Sequence, residues 1–424
     1  MSLHRIITTG LLATIALCAA ARSEPAAPSP EAPKNLVVAP VAGSASAVED
    51  PAGIQSAAKL SNAFGTKVFN LLLGPGAGTT VMMSPASLTG ALDMLTLGAG
   101  ADTAALLRRA RGIGQTPKAA DRQGALHHSL VHASTPDVTV RIANSAWLKP
   151  KASPMPAFVT ALHDLYDASV TNVDFANPST VGTVNGWVKQ NTQDVIDHIV
   201  DQLAPETEFL LVNTTYFKGK WAVPFDASQT KPEPFTRADG SKHDVPMMSG
   251  TATLRYAQTP RWHAVAIPYH GDRFEMIVMT AKDSAKSAAV RRELGQKGFL
   301  QALHGLQFAP RDINLRLPRF RAEYGAELNA VLARVGLGPA LGGKADYRPM
   351  TSEPIQAIKV VQRAVVEVNE EGTEAAAATA VVGTRSANAR TPLEFAADRP
   401  FAFGIVDRTT GAVLFIGYVA DPSA

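Results

Sequence analysis

Segments with helical periodicity fill the first half of this 424-residue chain, and segments with strand periodicity fill the second. That order constrains the fold more than any single motif. "IQSAAKLSNAFGTKVFNLLLG" carries apolar residues at helical spacing and stops at Gly74, while "SPASLTGALDMLTLGAG" opens on Ser84 and Pro85. "ADTAALLRRA" starts a third helix, and residues 156 to 201 hold further helical segments, including "VGTVNGWVKQNTQDVIDHIV". The texture then changes. "EFLLVNTTYFKGKW", "HAVAIPYHGDRFEMIVMTA", "DINLRLPRFRAEY" and "VVQRAVVEVNEEG" read as strands between turn signals, and "RPFAFGIVDRTTGAVLFIGYVADP" reads as a hairpin around "DRTTG". No βαβ alternation and no internal repeat is present, so the expected class is α+β rather than a doubly wound sheet.

The start of the chain predicts export. "MSLHR" is a short basic region, "IITTGLLATIALC" is an apolar run too short to span a membrane, and "AAAR" suits cleavage after Ala21. Residues 1–21 are therefore expected to be a signal peptide, and the protein secreted or periplasmic. Residues 22–53, rich in Pro, Ala and Ser, read as an extended linker, with order beginning near Ile54. Cys18, the only cysteine, lies inside the leader, so the mature chain has no disulfide, zinc-thiolate site or cysteine nucleophile. Its stability must then come from a core, for which a hydrophobic content of 46% suffices.

A net charge of +3 with 18% charged residues points away from nucleic acid, and no second apolar run suggests a membrane span. Arg108, Arg109 and Arg111 of "LLRRAR" read as a solvated helix end. "GPGAGTT" lacks the lysine of a phosphate loop and reads as a helix-ending turn. His128 and His132, one helical turn apart, read as surface histidines in the absence of a nearby acid of the H-E type. Asn213 begins a glycosylation triplet but sits in an apolar run, which predicts burial. No nucleophile elbow, metalloprotease motif or dinucleotide fingerprint occurs. No catalytic residue, metal ligand or cofactor is assigned, and the chain is read as not an enzyme.

Several motifs resemble one family. "SPASLTGALDMLTLGAGADT", "LVNTTYFKGKWAVPFD", "VPMM", "LPRF", "VVEVNEEGTEAAAAT" and "FAADRPFAFGIVDRTTGAVLFIGYV" are similar, in this order, to segments of the serpin family, and the likeness spans about residues 55 to 422. The resemblance implies one domain over 54–424, with about nine helices around three β-sheets and an exposed reactive-centre loop at about 370–399. It implies a monomer that inhibits serine, and in some members cysteine, proteases as a suicide substrate. The target attacks the loop, forms an acyl-enzyme, and is trapped covalently as the loop inserts into the central sheet.

The resemblance makes Glu370, Glu371, Gly372, Thr373, Glu374, Ala375, Ala376, Ala377, Ala378 and Thr379 the hinge. Their composition fits that role. As a strand, Thr373, Ala375, Ala377 and Thr379 would share one face, small and uncharged, able to enter a packed interior. Glu374, the only charge in that run, has the opposite parity. Gly372 is expected to supply the bend where insertion begins. Non-inhibitory members usually lose such a hinge; a binding, carrier or chaperone-like role is the alternative reading.

Three bonds compete as the cleavage site. The family count from Gly372 gives Ser386–Ala387, and a loop one residue shorter gives Arg385–Ser386. The loop's extra length keeps Arg390–Thr391 in play. Arg385 is preferred because arginine complements an acidic trypsin-like pocket. Carried over from the family, Ser84, Ser87 and Asn213 form the shutter beneath the sheet, with Gln362 where many members have histidine. Trp221 matches the breach tryptophan. Arg319 is expected to pair with Glu370 as a surface ion pair worth about 0–1 kcal/mol.

Overall fold

Asp50 caps the helix α1 (Pro51–Leu73), accepting a hydrogen bond from the Gly53 amide at 2.8 Å, and Pro51 occupies the first turn, where its missing N–H costs nothing. Helix therefore begins three residues ahead of the boundary expected at residue 54. Gly74, at φ 53°, ends α1 as anticipated. The structure is a computed structural model that describes residues 50–74, 78–114, 118–283, 291–292, 294, 299–303, 306–373 and 391–423. The expected leader, the expected linker up to residue 49, Glu374 to Thr379, and Arg385, Ser386, Ala387 and Arg390 lie outside the described residues.

Helices α2 (Pro85–Leu97), α3 (Ala101–Ala110), α4 (Ala119–Val131), α5 (Pro156–Tyr166) and α6 (Ser179–Asn191) follow in the first half of the chain. The strands are β1 (Val81–Met83), β2 (Val138–Leu148), β3 (Ser169–Asn172), β4 (Phe209–Lys220), β5 (Lys231–Thr236), β6 (Lys242–Gln258), β7 (Trp262–Pro268) and β8 (Phe274–Ala281). They continue with β9 (Ala309–Pro318), β10 (Phe320–Glu327), β11 (Ile358–Val368), β12 (Gly372–Thr373), β13 (Leu393–Ala396), β14 (Phe401–Asp407) and β15 (Val413–Val419). Most strands follow the helices, which is the α+β order expected.

Among the described residues the ladders trace a six-stranded sheet, β10-β11-β4-β2-β3 with β12 beside β4, and a nine-stranded sheet, β1-β15-β14-β8-β7-β6-β9-β13 with β5 beside β6. Three sheets were expected. The seventeen-residue β6 pairs first with β5, then with β9 and β7, and so joins two of them into one continuous ladder.

β4 is the centre of the smaller sheet. It pairs antiparallel with β2 from Phe209↔Leu148 to Gly219↔Val138 and parallel with β11 from Phe209↔Ile358 to Tyr216↔Val365. Both faces are covered, which explains its near-continuous burial. Leu210 and Val212 point into a cluster with Val184 and Val188 of α6, while Phe209 and Leu211 join the main core with Leu88, Leu92 and Leu95 of α2. Asn213 falls in the second alternation, toward α2.

One reading fails. Arg111 is no solvated helix end: it is 4% exposed, folds back onto α2, and meets Asp93 Oδ1 at 2.5 Å. It also donates to Thr96 Oγ1 at 2.9 Å and to the Leu107 and Thr89 carbonyls. The α3 helix ends at Ala110, so Arg111 serves as its C-cap and turns inward, while Arg109 stays exposed. Burial raises the Asp93 carboxyl despite the guanidinium beside it.

Candidate functional site

β4 and β11 part company at their upper ends. Their parallel ladder stops at Tyr216↔Val365, and the last residues of β4 pair instead with β12: Gly372↔Lys220 and Thr373↔Gly219, antiparallel. The chain reaches this position by reversing at the end of β11. The Asn369 amide donates to the Gly372 carbonyl at 2.8 Å and the Gly372 amide returns to Asn369 O at 3.2 Å, which closes a turn with Glu370 and Glu371 at its centre. The Asn369 side chain reinforces the turn, its Oδ1 accepting from the Glu371 amide at 3.1 Å.

Gly372 is not itself the bend; it is the first residue of the new strand. Its φ is +147°, and a Cβ there would lie 1.9 Å from the Gly219 carbonyl oxygen of β4. Only glycine lets the two backbones approach this closely. Thr373 lies opposite Gly219, in the alternation of β4 that carries Phe217 and Asn213.

Three contacts hold the turn over the mouth. Trp221, 2% exposed, receives the turn on both sides: its amide donates to Glu371 O at 2.7 Å and its indole Nε1 donates to Asn369 O at 2.9 Å. Its ring stacks on the buried Tyr269, centroids 4.5 Å apart and planes at 14°. The Phe225 amide donates to Glu370 O at 2.8 Å.

The Glu370 side chain makes the third contact. Arg319 Nε donates to both carboxylate oxygens, at 2.6 and 2.8 Å, and Thr230 Oγ1 donates to Oε1. Glu370 is 6% exposed, so this is not the surface pair expected: the carboxylate is buried and only Arg319 reaches water. Burial pushes the Glu370 carboxyl up, but the hydrogen bonds from Arg319 and Thr230 outweigh it and hold it below its ordinary range.

Beneath the sheet, Gln362, Asn213 and Asn144 occupy adjacent positions on β11, β4 and β2, since Gln362↔Asn213 and Asn213↔Asn144 are register partners. Their amides form a transverse row: Gln362 Nε2 donates to Asn213 Oδ1 at 3.0 Å, and Asn213 Nδ2 donates to Asn144 Oδ1 at 2.5 Å. The first turn of α2 closes the row from below. Gln362 accepts from the Ser84 amide and donates to the Ser84 carbonyl, both at 3.1 Å, and the Ser87 hydroxyl donates to Asn213 Oδ1. Ser84 also caps α2 through the Ser87 amide at 3.2 Å. All five residues are buried. The row is the polar tie across the β4–β11 seam, and any strand entering that seam must replace the Gln362–Asn213 bond.

The structure thus brings Ser84, Ser87, Asn213 and Gln362 together in one cluster, and Trp221, Arg319, Glu370, Glu371 and Gly372 in another. Thr391 is described and exposed, just ahead of β13. Sequence reasoning missed Asn144, Asn369, Thr230 and Tyr269. An asparagine in the apolar run "IANSAWL" was a usable signal for Asn144, and Asn before two acids and a glycine was one for the turn. Nothing local marks Thr230 or Tyr269. His128 stacks on His132 at 5.7 Å and bonds the Asp164 carbonyl. Among the described residues no group of three or more His, Cys, Asp or Glu is placed to hold a metal, and no helix is long and apolar enough to cross a membrane.

A mixed α+β fold with a short strand, β12, paired to β4 where the β4–β11 ladder ends is the architecture of the serpin class of protein. The comparisons agree: the family model described as "Serpin (serine protease inhibitor)" matches residues 59–422, and the chain belongs to the serpin family. Glia-derived nexin of Homo sapiens is 30% identical, with 86% of this chain and 93% of that protein covered. Iripin-3 of Ixodes ricinus is 31% identical, covering 85% of this chain and 93% of the relative. The leukocyte elastase inhibitor of Bos taurus is also 31% identical, over 85% of this chain and 97% of that protein. Among solved structures, native protease nexin-1 with heparin superposes with a TM-score of 0.75 at 28% identity, covering 87% of this chain and all of that one (100%). Human thyroxine-binding globulin shares the fold, with a TM-score of 0.78 at 22% identity over 87% of this chain and 99% of that one.

Proposed function

We propose that this protein is an exported, monomeric suicide-substrate inhibitor of serine proteases, directed at trypsin-like enzymes through Arg385. The observation that carries the reading is the docked hinge. Gly372 and Thr373 already pair antiparallel with β4 at the head of the β4–β11 seam, the direction a loop would take if it continued down that seam as a new strand. The small, uncharged alternation of Thr373, Ala375, Ala377 and Thr379 suits that path. Such a protein supplies no catalytic group. Its loop is attacked by the target's own serine, and insertion carries the acyl-enzyme away before water can hydrolyse it. The relative named leukocyte elastase inhibitor supports an inhibitory role, and the leader supports export.

Incubation with trypsin tests this directly. The expected result is a complex stable in SDS and a released C-terminal fragment whose sequence begins at Ser386. Intact, active trypsin beside a cleaved chain of unchanged thermal stability would overturn the reading and favour a binding or carrier role. A fragment beginning at Ala387 or Thr391 would move the bait by itself and leave the mechanism standing.

A further inference from the structure

The chain from residue 391 runs into β13, a four-residue strand at the end of the larger sheet's strand order that, among the described residues, pairs only with β9. Little holds it. Leu393 is 42% exposed, and Glu394 contributes a surface bond to Asn314 Nδ2. The anchor is Phe395, fully buried, and its ring lies 4.5 Å from the imidazole of His263 on β7, planes at 39°. The chain beyond β13 passes over the same spot. The Ala397 amide donates to Arg316 O at 2.9 Å, and Pro400 O accepts from Thr280 Oγ1 at 3.3 Å, Thr280 being the β8 register partner of His263.

We propose that His263 is a pH-sensitive clamp on β13: its neutral ring packs Phe395 in place, and its protonation loosens the strand on which the reactive loop ends. The surroundings explain why charge is unwelcome there. On β6 the ring faces Tyr256, centroids 6.2 Å apart, and Gln258 is its register partner. Lys282 beyond β8 and Arg399 beyond β13 both oppose a second cation, and Asp398 favours it but is engaged by Arg399 Nε at 2.6 Å. Burial, then these cations, pull the ring down to about 4. A base held neutral by the fold contributes stability above its free value and loses it as pH falls toward the folded one. With ring values of about 6.5 released and about 4 clamped, opening of β13 should rise on the order of tenfold between about pH 7.5 and about pH 5.

Hydrogen–deuterium exchange on the full chain tests the clamp, and it reads the strand whether or not the chain inhibits a protease. Protection over residues 393–397, corrected for intrinsic rates, should fall on the order of tenfold across that pH range while β14 and β15 stay protected. His263→Phe, which keeps an aromatic ring against Phe395 and cannot titrate, should abolish the fall; His263→Gln serves if the phenylalanine variant does not fold. Unchanged protection in the parent, an equal fall in both variants, or a loss spread over every strand would each overturn the proposal.

Discussion

Replacing Gly372 with alanine separates the docked hinge from the rest of the fold. The new methyl group would stand 1.9 Å from Gly219 O and 2.6 Å from Lys220 Cα, and both neighbours are backbone that cannot rotate away. The backbone conformation, φ +147°, is itself one that alanine adopts only at a cost of about 1–3 kcal/mol. Against this stands a pairing of two residues, whose one or two hydrogen bonds contribute about 0.5–1.5 kcal/mol each. The strain meets or exceeds the gain, so the chain should release β12 rather than distort β4. The turn's anchors, Trp221 to Asn369 and Arg319 to Glu370, lie outside the clash and should persist. Because the loss is bounded by the small pairing term, the thermal midpoint should fall by only about 1–2 °C in a domain of this size. Exchange protection should vanish at residues 372–373 and persist at Trp221. With trypsin, the fraction of chain consumed as plain substrate should rise, since an alanine at this close approach obstructs the first step of insertion. A Gly372→Ala variant with β12 as protected as in the parent and with unaltered partitioning would refute both the steric argument and the role given to the docked hinge.

Arg319→Ala leaves the buried Glu370 carboxylate with Thr230 as its remaining side-chain donor, and should cost about 1–3 kcal/mol by chemical denaturation. Because the folded Glu370 carboxyl sits below its ordinary range, the parent holds this stabilisation above that range and loses it as pH falls through the folded value. The variant's deficit should therefore shrink on acidification, and a deficit independent of pH would contradict the pairing. Gln362→Ala unpairs the Ser84 amide and carbonyl and breaks the tie to Asn213, for about 1–3 kcal/mol in the same assay; a loss below about 0.5 kcal/mol would mean that the row is not structural. Thr373→Arg places a charge at a position that the proposed insertion would carry into the sheet, and should convert the proposed inhibitor into a substrate, seen on gels as cleaved chain without complex. Inhibition as fast and complete as the parent's would sink the insertion argument.

Much of this was legible from local pattern. Ser84 and Pro85 announce α2 because a hydroxyl before a proline satisfies the free amides of a first turn, whatever the helix packs against. The burial of Asn213 followed from its apolar neighbours, and the 401–419 hairpin from two apolar runs around a turn. The errors share one origin. Arg111 looked solvated because three arginines at a helix end usually are, and Arg319–Glu370 looked superficial because nothing near either residue shows that the turn lies down over the mouth.

The order of elements, the confinement of the chain's one thiol to Cys18, and the alternation of small residues from Thr373 to Thr379 belong to the sequence, since each depends on residues a few positions apart. The close approach at Gly372, the amide row and the seating of the Glu370 carboxylate belong to the tertiary structure alone. Gln362 and Asn213 are 149 residues apart in the chain, and only the register of two parallel strands makes them neighbours. Likewise, glycine at 372 is read from sequence as permission to bend; that it is instead the room left for the Gly219 carbonyl is decided by where β4 passes.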